Sequence, residues 1–252
     1  MFKVRRSLIS VIFSLVFILS ADADEVTDLL HAADGFRLPA GAVRVQTHVE
    51  LFRDNVRDKE RDYEVYIKPG RRSLVVFKSA DVMGQKVLMV DSDFWYFLPR
   101  TARPVRITPT QKLLGEASAG DIATMTWSED YEGTLDRVAS VVDGVSCQRL
   151  SLKSLRKGTT YERIELYVSQ ADRSPVKADL YLASGKLAKE ARFEMGMLDG
   201  VKRVVAMKLF DKINIKEVTT IFYQKISPMD IPDQFYNPAF LTNITTLPTA
   251  SE

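Results

Sequence analysis

Hydrophobic residues recur along this chain in three different rhythms, and each predicts a different element. Leu8 to Leu19 is an apolar run broken only by Ser10 and Ser14. Between Asp24 and Ala33 the positions Val26, Leu29, Leu30 and Ala33 recur at helical spacing, with acids at the start and Gly35 just past the end. That spacing predicts a short amphipathic helix. From Val43 the period drops to two: Val43, Val45, Thr47, Val49 and Leu51 alternate with Arg44, Gln46, His48 and Glu50. This is the pattern of a strand with one covered face.

Further strand-like runs stand at Tyr63–Lys68, Arg72–Lys78, Lys86–Val90 and Phe94–Leu98, separated by Pro69-Gly70, Gly84 and Asp91-Ser92-Asp93. Such short separators join antiparallel neighbours, because parallel crossovers need a dozen or more residues. The rhythm breaks over Thr108–Tyr131, where Leu113, Leu114, Ala117, Ala119, Ile122, Ala123 and Met125 occur among Gly115, Ser118 and Gly120. One or two short helices in a mobile excursion are predicted there. Strands return at Thr134–Val142, Ser146–Ser154, Tyr161–Ser169, Val176–Leu182, Lys189–Met195, Val201–Phe210 and Lys216–Lys225. The prediction is about twelve strands in one meandering sheet. Pro228, Pro232, Pro238 and Pro248 then forbid a long helix or central strand in 227–252, and the aromatics between them predict packing along the sheet edge. No βαβ rhythm or glycine-rich phosphate loop is present, which speaks against a doubly wound nucleotide-binding fold.

The first rhythm has a separate meaning. Lys3, Arg5 and Arg6 precede the apolar run, and Ser20-Ala21-Asp22-Ala23 follows it, the order of a secretory signal peptide cut after Ala23. Twelve residues reach about 18 Å as a helix, short of the roughly 30 Å hydrocarbon core, so cleavage is favoured over anchoring. The expected organisation is a leader over 1–23 and a single domain over 24–252, soluble in an exported compartment, the periplasm. Removing 1–23 takes away three basic residues and one acid and leaves 32 of each. That balance offers no bulk excess of cations for a polyanion, so nucleic acid is not an expected partner. With 46% hydrophobic and 27% charged residues the chain has the content to bury a core, which excludes disorder. Cys147 is the single cysteine, which excludes an intramolecular disulfide and a Cys-based zinc site. His31 and His48 are the only histidines, and His48 reads as an ordinary strand residue. No cofactor, metal motif or activated nucleophile is indicated, so the chain is not expected to be an enzyme.

A sheet this long with one apolar face must close, pair or wrap around something. The N-terminal helix and the 108–131 excursion are small covers for it. Apolar surface left inside a half-open barrel suits a lipid or acyl chain, with a fully packed core as the alternative.

Four segments bear on that choice: Phe77-Lys78-Ser79-Ala80-Asp81-Val82-Met83-Gly84, Phe94-Trp95-Tyr96-Phe97-Leu98-Pro99-Arg100, Arg106-Ile107 and Leu114-Gly115-Glu116-Ala117-Ser118-Ala119-Gly120-Asp121. In that order they resemble the bacterial outer-membrane lipoprotein-sorting family, related to the periplasmic carrier LolA and the receptor LolB. The resemblance runs over most of the chain after the leader and is most specific between Phe77 and Tyr131. It implies a mainly β fold, an unclosed antiparallel β-barrel with short helices as a lid over a hydrophobic cavity that receives acyl chains. The single arginine decisive for LolA has no assigned counterpart here.

Within that segment Trp95 and Phe97 share one face of their strand, and Phe94 and Tyr96 the other. Candidate cavity residues are Trp95, Phe97, Met83, Met89, Met125, Trp127 and Tyr131, since aromatics bury large apolar area and thioethers adapt to variable chains. Arg100, Arg103 and Arg106, with Asp121, are candidates for a polar rim, where guanidinium groups suit lipid phosphates or an acidic partner. Asp121, Glu129 and Asp130 are candidate partners for those arginines in holding a lid shut. The expected function is a periplasmic carrier or chaperone for the acyl chains of lipoproteins or other lipids, served by an inner-membrane transporter and an outer-membrane receptor. The alternatives are an accessory subunit of a membrane exporter and an exported hydrolase.

Overall fold

A computed structural model describes residues 24–101, 103–123, 126–212 and 217–243. The leader, Met125 and the last nine residues lie outside the described residues. Helix α1 occupies 24–37. Six strands follow: β1 (Val43–Arg53), β2 (Val56–Lys68), β3 (Arg72–Phe77), β4 (Lys86–Val90), β5 (Asp93–Phe97) and β6 (Val105–Ile107). A small hairpin, β7 (Lys112–Leu114) and β8 (Ala117–Ser118), leads into helices α2 (Ala119–Ala123) and α3 (Trp127–Asp130). The second run is β9 (Tyr131–Val142), β10 (Val145–Ser154), β11 (Arg163–Ser169), β12 (Pro175–Tyr181), β13 (Leu187–Leu198), β14 (Val201–Asp211) and β15 (Glu217–Pro228).

The turns explain the meander. Asp54-Asn55, Asp143-Gly144 and Asp199-Gly200 each place both residues at positive φ, from 49° to 80°, between directly paired strand ends. Two-residue turns of that hand match the twist of the strands they join, and Asn, Asp and Gly tolerate the conformation. Thirteen strands form one sheet in the order β6-β5-β4-β3-β2-β1-β15-β14-β13-β12-β11-β10-β9, antiparallel throughout. The terminal strands β6 and β9 are not paired with each other, so the barrel is unclosed. Residues 108–130 run from one free edge to the other, and that connection makes the lid.

Alternation decides what each face touches. Val43, Val45, Val49 and Leu51 of β1 point into one continuous core with residues of both sheet halves. Val26, Leu29, Leu30 and Ala33 of α1 fill it from within, and Leu113, Leu114, Ile122, Ala123 and Trp127 fill it from the lid. Each fully buried Val or Leu contributes about 1.5–3 kcal/mol. A second cluster lies on the opposite face of β2 to β5, where Tyr66, Leu74, Val76, Leu88 and Phe97 pack under Ile231, Phe235, Tyr236 and Leu241. The C-terminal segment, with 3-10 turns at Asp233–Tyr236 and Pro238–Asn243, thus straps the convex face rather than the edge. Lys68 holds it through Asp230 and Asp233, each at 2.7 Å, and Arg72 through Asp233 at 3.1 Å.

Three elements differ from the expectation. Helix α1 continues through Gly35 to residue 37, because Phe36 and Leu38 pack on the core and outweigh the glycine's cost of about 1 kcal/mol. Strand β2 begins at Val56, where Arg57, Asp58, Lys59, Glu60 and Arg61 carry no hydrophobic alternation to mark it. The excursion holds a hairpin as well as two short helices.

Candidate functional site

Helix α3 is too short to stand alone, and α1 supplies its cap. Asp34 Oδ1 accepts from the Trp127 amide at 3.1 Å, and Oδ2 accepts from the Ser128 amide at 2.8 Å and the Ser128 hydroxyl at 2.9 Å. These are orphan donors that every helix start must satisfy. Arg37 pairs with the same carboxylate at 3.2 Å and lies 4.2 Å over the Trp127 ring. Phe193 of β13 meets the indole edge-on at 5.6 Å. Trp127 thereby packs beneath a cation and perpendicular to a second aromatic ring, both favourable arrangements for an indole.

Helix α2 is anchored from below. Asp121 accepts from the Ser118 amide at 2.9 Å, the Ser118 hydroxyl at 2.7 Å, the Tyr161 hydroxyl at 2.8 Å and Lys189 Nζ at 2.8 Å. Burial alone would raise the Asp121 carboxyl, but the charge and hydrogen bond of Lys189 and the bonds from Ser118 outweigh it and hold it below the ordinary value. Burial, reinforced by Asp121, pushes Tyr161 well up, so its hydroxyl stays a donor. Lys189 also donates to the Glu116 carbonyl, the Glu116 amide donates to Thr219 Oγ1 at 2.8 Å, and Arg61 donates to the Leu113 carbonyl at 2.6 Å.

The far end of α3 closes the open side of the barrel. Asp130 pairs with Arg71 of the β2–β3 turn, both side chains nearly inaccessible, and the Leu155 amide donates to the Asp130 carbonyl at 2.9 Å. Arg71 also donates to the Asp91 carbonyl at 3.1 Å, and Arg156 stands 3.8 Å from Asp91. Gly158 is required beside them: at φ +86° its Cβ would lie 2.9 Å from the Ser92 carbonyl oxygen.

Helix α3 forms a wall between two spaces. On its inner side Trp127, Ile164, Leu180, Phe193 and Met207, together with the polar Arg37, Asp121, Thr160 and Tyr161, line a void of about 50 Å³ that Tyr131 also borders. On its outer side His31, Lys68, Arg71, Met89, Ser128 and Asp130 line a cleft of about 290 Å³. A further space of about 180 Å³ lies beside the Asp121–Lys189 pair, lined by Glu116, Ser118, Tyr161, Leu182, Ala188 and Lys189 among others.

The candidates separate accordingly. Met89, Trp127 and Tyr131 lie on the concave side, Met89 at the outer cleft and the two aromatics at the inner void. Trp95 and Phe97 do share a face, but it is the convex one, under the C-terminal strap. The opposite pair, Phe94 and Tyr96, faces the core, because Phe94 stands in register with Met89 while Trp95 stands with Leu88 and Arg106. Met83 is 55% exposed at the end of the 3-10 turn Ala80–Val82, and Met125 lies outside the described residues. Arg100 and Arg103 are exposed in the β5–β6 connection. Arg106 pairs with Asp93 and lies 5.9 Å from the Trp95 ring, on the convex side. Asp121 is an anchor beneath the lid and not part of a rim, and Asp130 pairs with Arg71 instead of these arginines. Sequence reading missed Asp34, Arg37, Arg71, Tyr161, Lys189 and Phe193. Lys189 carried a signal: it shares the inward parity of Ala191 and Phe193, an odd place for a charge.

A protein-family model, described as an uncharacterized protein, matches residues 70–243. A LolA superfamily protein from Nitrosomonas europaea superposes at a TM-score of 0.77 over 84% of this chain and 97% of its own, with 27% identity. The chain belongs to this LolA-like family. Two further structures share the LolA-like fold at a TM-score of 0.69, covering 87% of this chain and 99% of theirs. One is a DUF1329 family protein from Desulfovibrio piger, 22% identical, and the other a domain from Vibrio parahaemolyticus, 17% identical, provisionally named an outer membrane lipoprotein-sorting protein. No curated protein matches the sequence. Among the described residues of the LolA-like chain, no helix is long and apolar enough to cross a membrane.

Proposed function

We propose that this LolA-like protein is a periplasmic carrier that shields the acyl chains of lipoproteins or other lipids against its concave face. The observation that carries the reading is the position of α3, whose Trp127 is buried in the concave core beneath Arg37 while the same short helix walls off an outer cleft. A void of about 50 Å³ falls well short of the roughly 300 Å³ at which ligand pockets begin. Cargo entry therefore requires α3 and its indole to leave, which merges the two spaces. The fastenings to be released are both polar and apolar: water replaces the hydrogen bonds, while the core contacts of Leu113, Leu114, Ile122 and Trp127 are those the cargo must replace. The vacated seat regains about 0.8 kcal/mol for each cargo methylene it buries. The 27% identical LolA superfamily relative supports the reading. Residues 1–23 direct export in this scheme, an inner-membrane transporter loads the carrier and an outer-membrane receptor unloads it.

Gentle purification, solvent extraction and mass spectrometry test the cargo, with lipid or acylated protein expected. Recovery of a membrane complex without lipid favours an exporter subunit, and turnover of added lipid or glycan favours a hydrolase. A crosslink tests the lid. A Cβ on Gly120 would lie 3.0 Å from Thr160 Cβ, about half an ångström inside the usual disulfide span. Gly120→Cys with Thr160→Cys, in a Cys147→Ser background, is expected to block uptake of a fluorescent fatty-acyl probe when oxidised and to restore it when reduced. Uptake at the unmodified rate through a confirmed crosslink refutes opening of this lid.

A further inference from the structure

The convex face carries a cluster on the side of the sheet away from the lid. In the β1–β2 register His48 stands opposite Asp62 and Glu50 opposite Glu60, all on the face away from Thr47 and Val49 of the core. Asp62 Oδ1 lies 2.7 Å from His48 Nδ1. When Nδ1–H donates to that carboxylate, the lone pair of the neutral ring sits on Nε2. Nε2 faces Glu50 Oε1 at 3.5 Å and Glu60 Oε2 at 3.9 Å. One ring nitrogen and two carboxylate oxygens thus converge on a single space that a cation between them would fill.

A second observation places a cation there. The same two oxygens, Glu50 Oε1 and Glu60 Oε2, hold one nitrogen of Arg57 at 3.1 Å and 2.8 Å. Arg57 is a long side chain more than half exposed, so swinging outward vacates those oxygens, whereas His48 and Glu50 are mostly covered on a central strand. One donor atom from each of His48, Glu50 and Glu60 lies within 4.8 Å of the others. Bonds of 2.0–2.2 Å to a tetrahedral ion set ligand atoms about 3.4 Å apart, so small rotations of the exposed Glu60 complete the set.

We propose that His48, Glu50 and Glu60 form a binding site for a divalent transition-metal ion, Zn²⁺ by the chemistry of the donors, which displaces Arg57 and leaves a fourth position for water. One imidazole with two carboxylates suits zinc, whereas magnesium and calcium take all-oxygen shells. Asp62 is the positioning residue, holding the ring that binds the ion. The site goes beyond the carrier reading and does not depend on it.

Calorimetric titration of the untagged chain from Asp24 onward with Zn²⁺, in a buffer that does not bind metal, tests the proposal. One ion per chain is expected, with affinity lowered at least tenfold in His48→Gln and Glu50→Gln, about 10–100-fold in Asp62→Asn, and unchanged in His31→Gln. Arg57→Ala is expected to bind several-fold more tightly, because the ion no longer competes with the guanidinium. A purely structural ion-pair network does not produce that gain. X-ray absorption is expected to show one imidazole and otherwise oxygen ligands. The proposal is overturned if Arg57→Ala shows no saturable binding or no gain, if His48→Gln binds as the parent does, or if sulfur from Cys147 enters the zinc shell. Circular dichroism on each variant separates loss of a ligand from loss of the fold.

Discussion

Replacing Asp121 by Asn removes one charge from a buried pair while keeping the side chain's shape. The amide keeps one acceptor oxygen, which serves either the Ser118 bonds made to Oδ2 or the Tyr161 bond made to Oδ1, but not both. Lys189 Nζ, almost wholly buried, loses its carboxylate partner and is left with the Glu116 carbonyl. Breaking a buried pair at one partner costs about 3–5 kcal/mol, and the surviving hydrogen bonds put this variant at the low end, about 3 kcal/mol. At 1.4 kcal/mol per factor of ten, that is roughly a hundredfold in the equilibrium between closed and open lid. Urea unfolding is expected to register the loss, and amide exchange across 112–123 is expected to speed up by about the same factor. Adding Lys189→Met is expected to recover most of the stability, since an apolar pair of similar volume replaces a buried ion pair at little cost. A loss under about 1 kcal/mol with unchanged lid exchange refutes the role of this pair as the lid's anchor. A double variant as unstable as the single one assigns the loss to hydrogen bonding instead.

Four further outcomes follow from the same geometry. Because Asp121 titrates below its unfolded value of about 3.9, its stabilisation is fully present above that pH and is lost as pH falls through the lowered value, so exchange of the lid is expected to accelerate only in strong acid and Asp121→Asn to abolish that component. Trp127→Ala is expected to cost about 3–5 kcal/mol in thermal unfolding yet to admit a fatty-acyl probe faster in stopped flow; slower uptake makes the indole a cargo contact and not a plug. Gly120→Ala sets a Cβ 1.9 Å from Thr160 Oγ1, so a loss of about 1–3 kcal/mol is expected on melting, relieved by Thr160→Gly, and persistence of the loss in the double variant rejects the steric cause. N-terminal sequencing of exported protein is expected to read from Asp24, and an intact Met1 in a membrane fraction rejects the soluble carrier.

Turn chemistry made the meander readable. Asp143-Gly144 and Asp199-Gly200 announce tight hairpins without any knowledge of what they join. The charge-rich first half of β2, before the strand read at Tyr63–Lys68, and three-residue β6 were illegible for lack of a covered face long enough to set a period. Parity told which aromatics of β5 travel together but not which pair faces in. That side is set by the curvature of the whole sheet and by the strap that covers Trp95 and Phe97. The site was legible in Trp127 and Tyr131, which lie within one anomalous segment. The contacts that fix this segment join Asp34 to Trp127, Arg71 to Asp130 and Asp121 to Lys189. Those pairs are 93, 59 and 68 residues apart, and only the pairing of the sheet brings them together.

The sheet order also dictates a sequence of events when the chain folds. Every strand pairing in the large sheet joins neighbours along the chain except one, the seam that sets Arg53 against Glu217 and Val43 against Pro228. Two runs of hairpins can therefore zip locally and fast, while the seam must wait for β15, among the last elements to be synthesised, and is slow by its long sequence separation. The strap over Leu74, Val76, Leu88 and Phe97 comes later still, since residues 229–243 follow β15. Throughout that interval the N-terminal half has sticky surface on both faces and an unpaired β1 edge, the condition in which a chain aggregates unless it is kept unfolded or held by another protein.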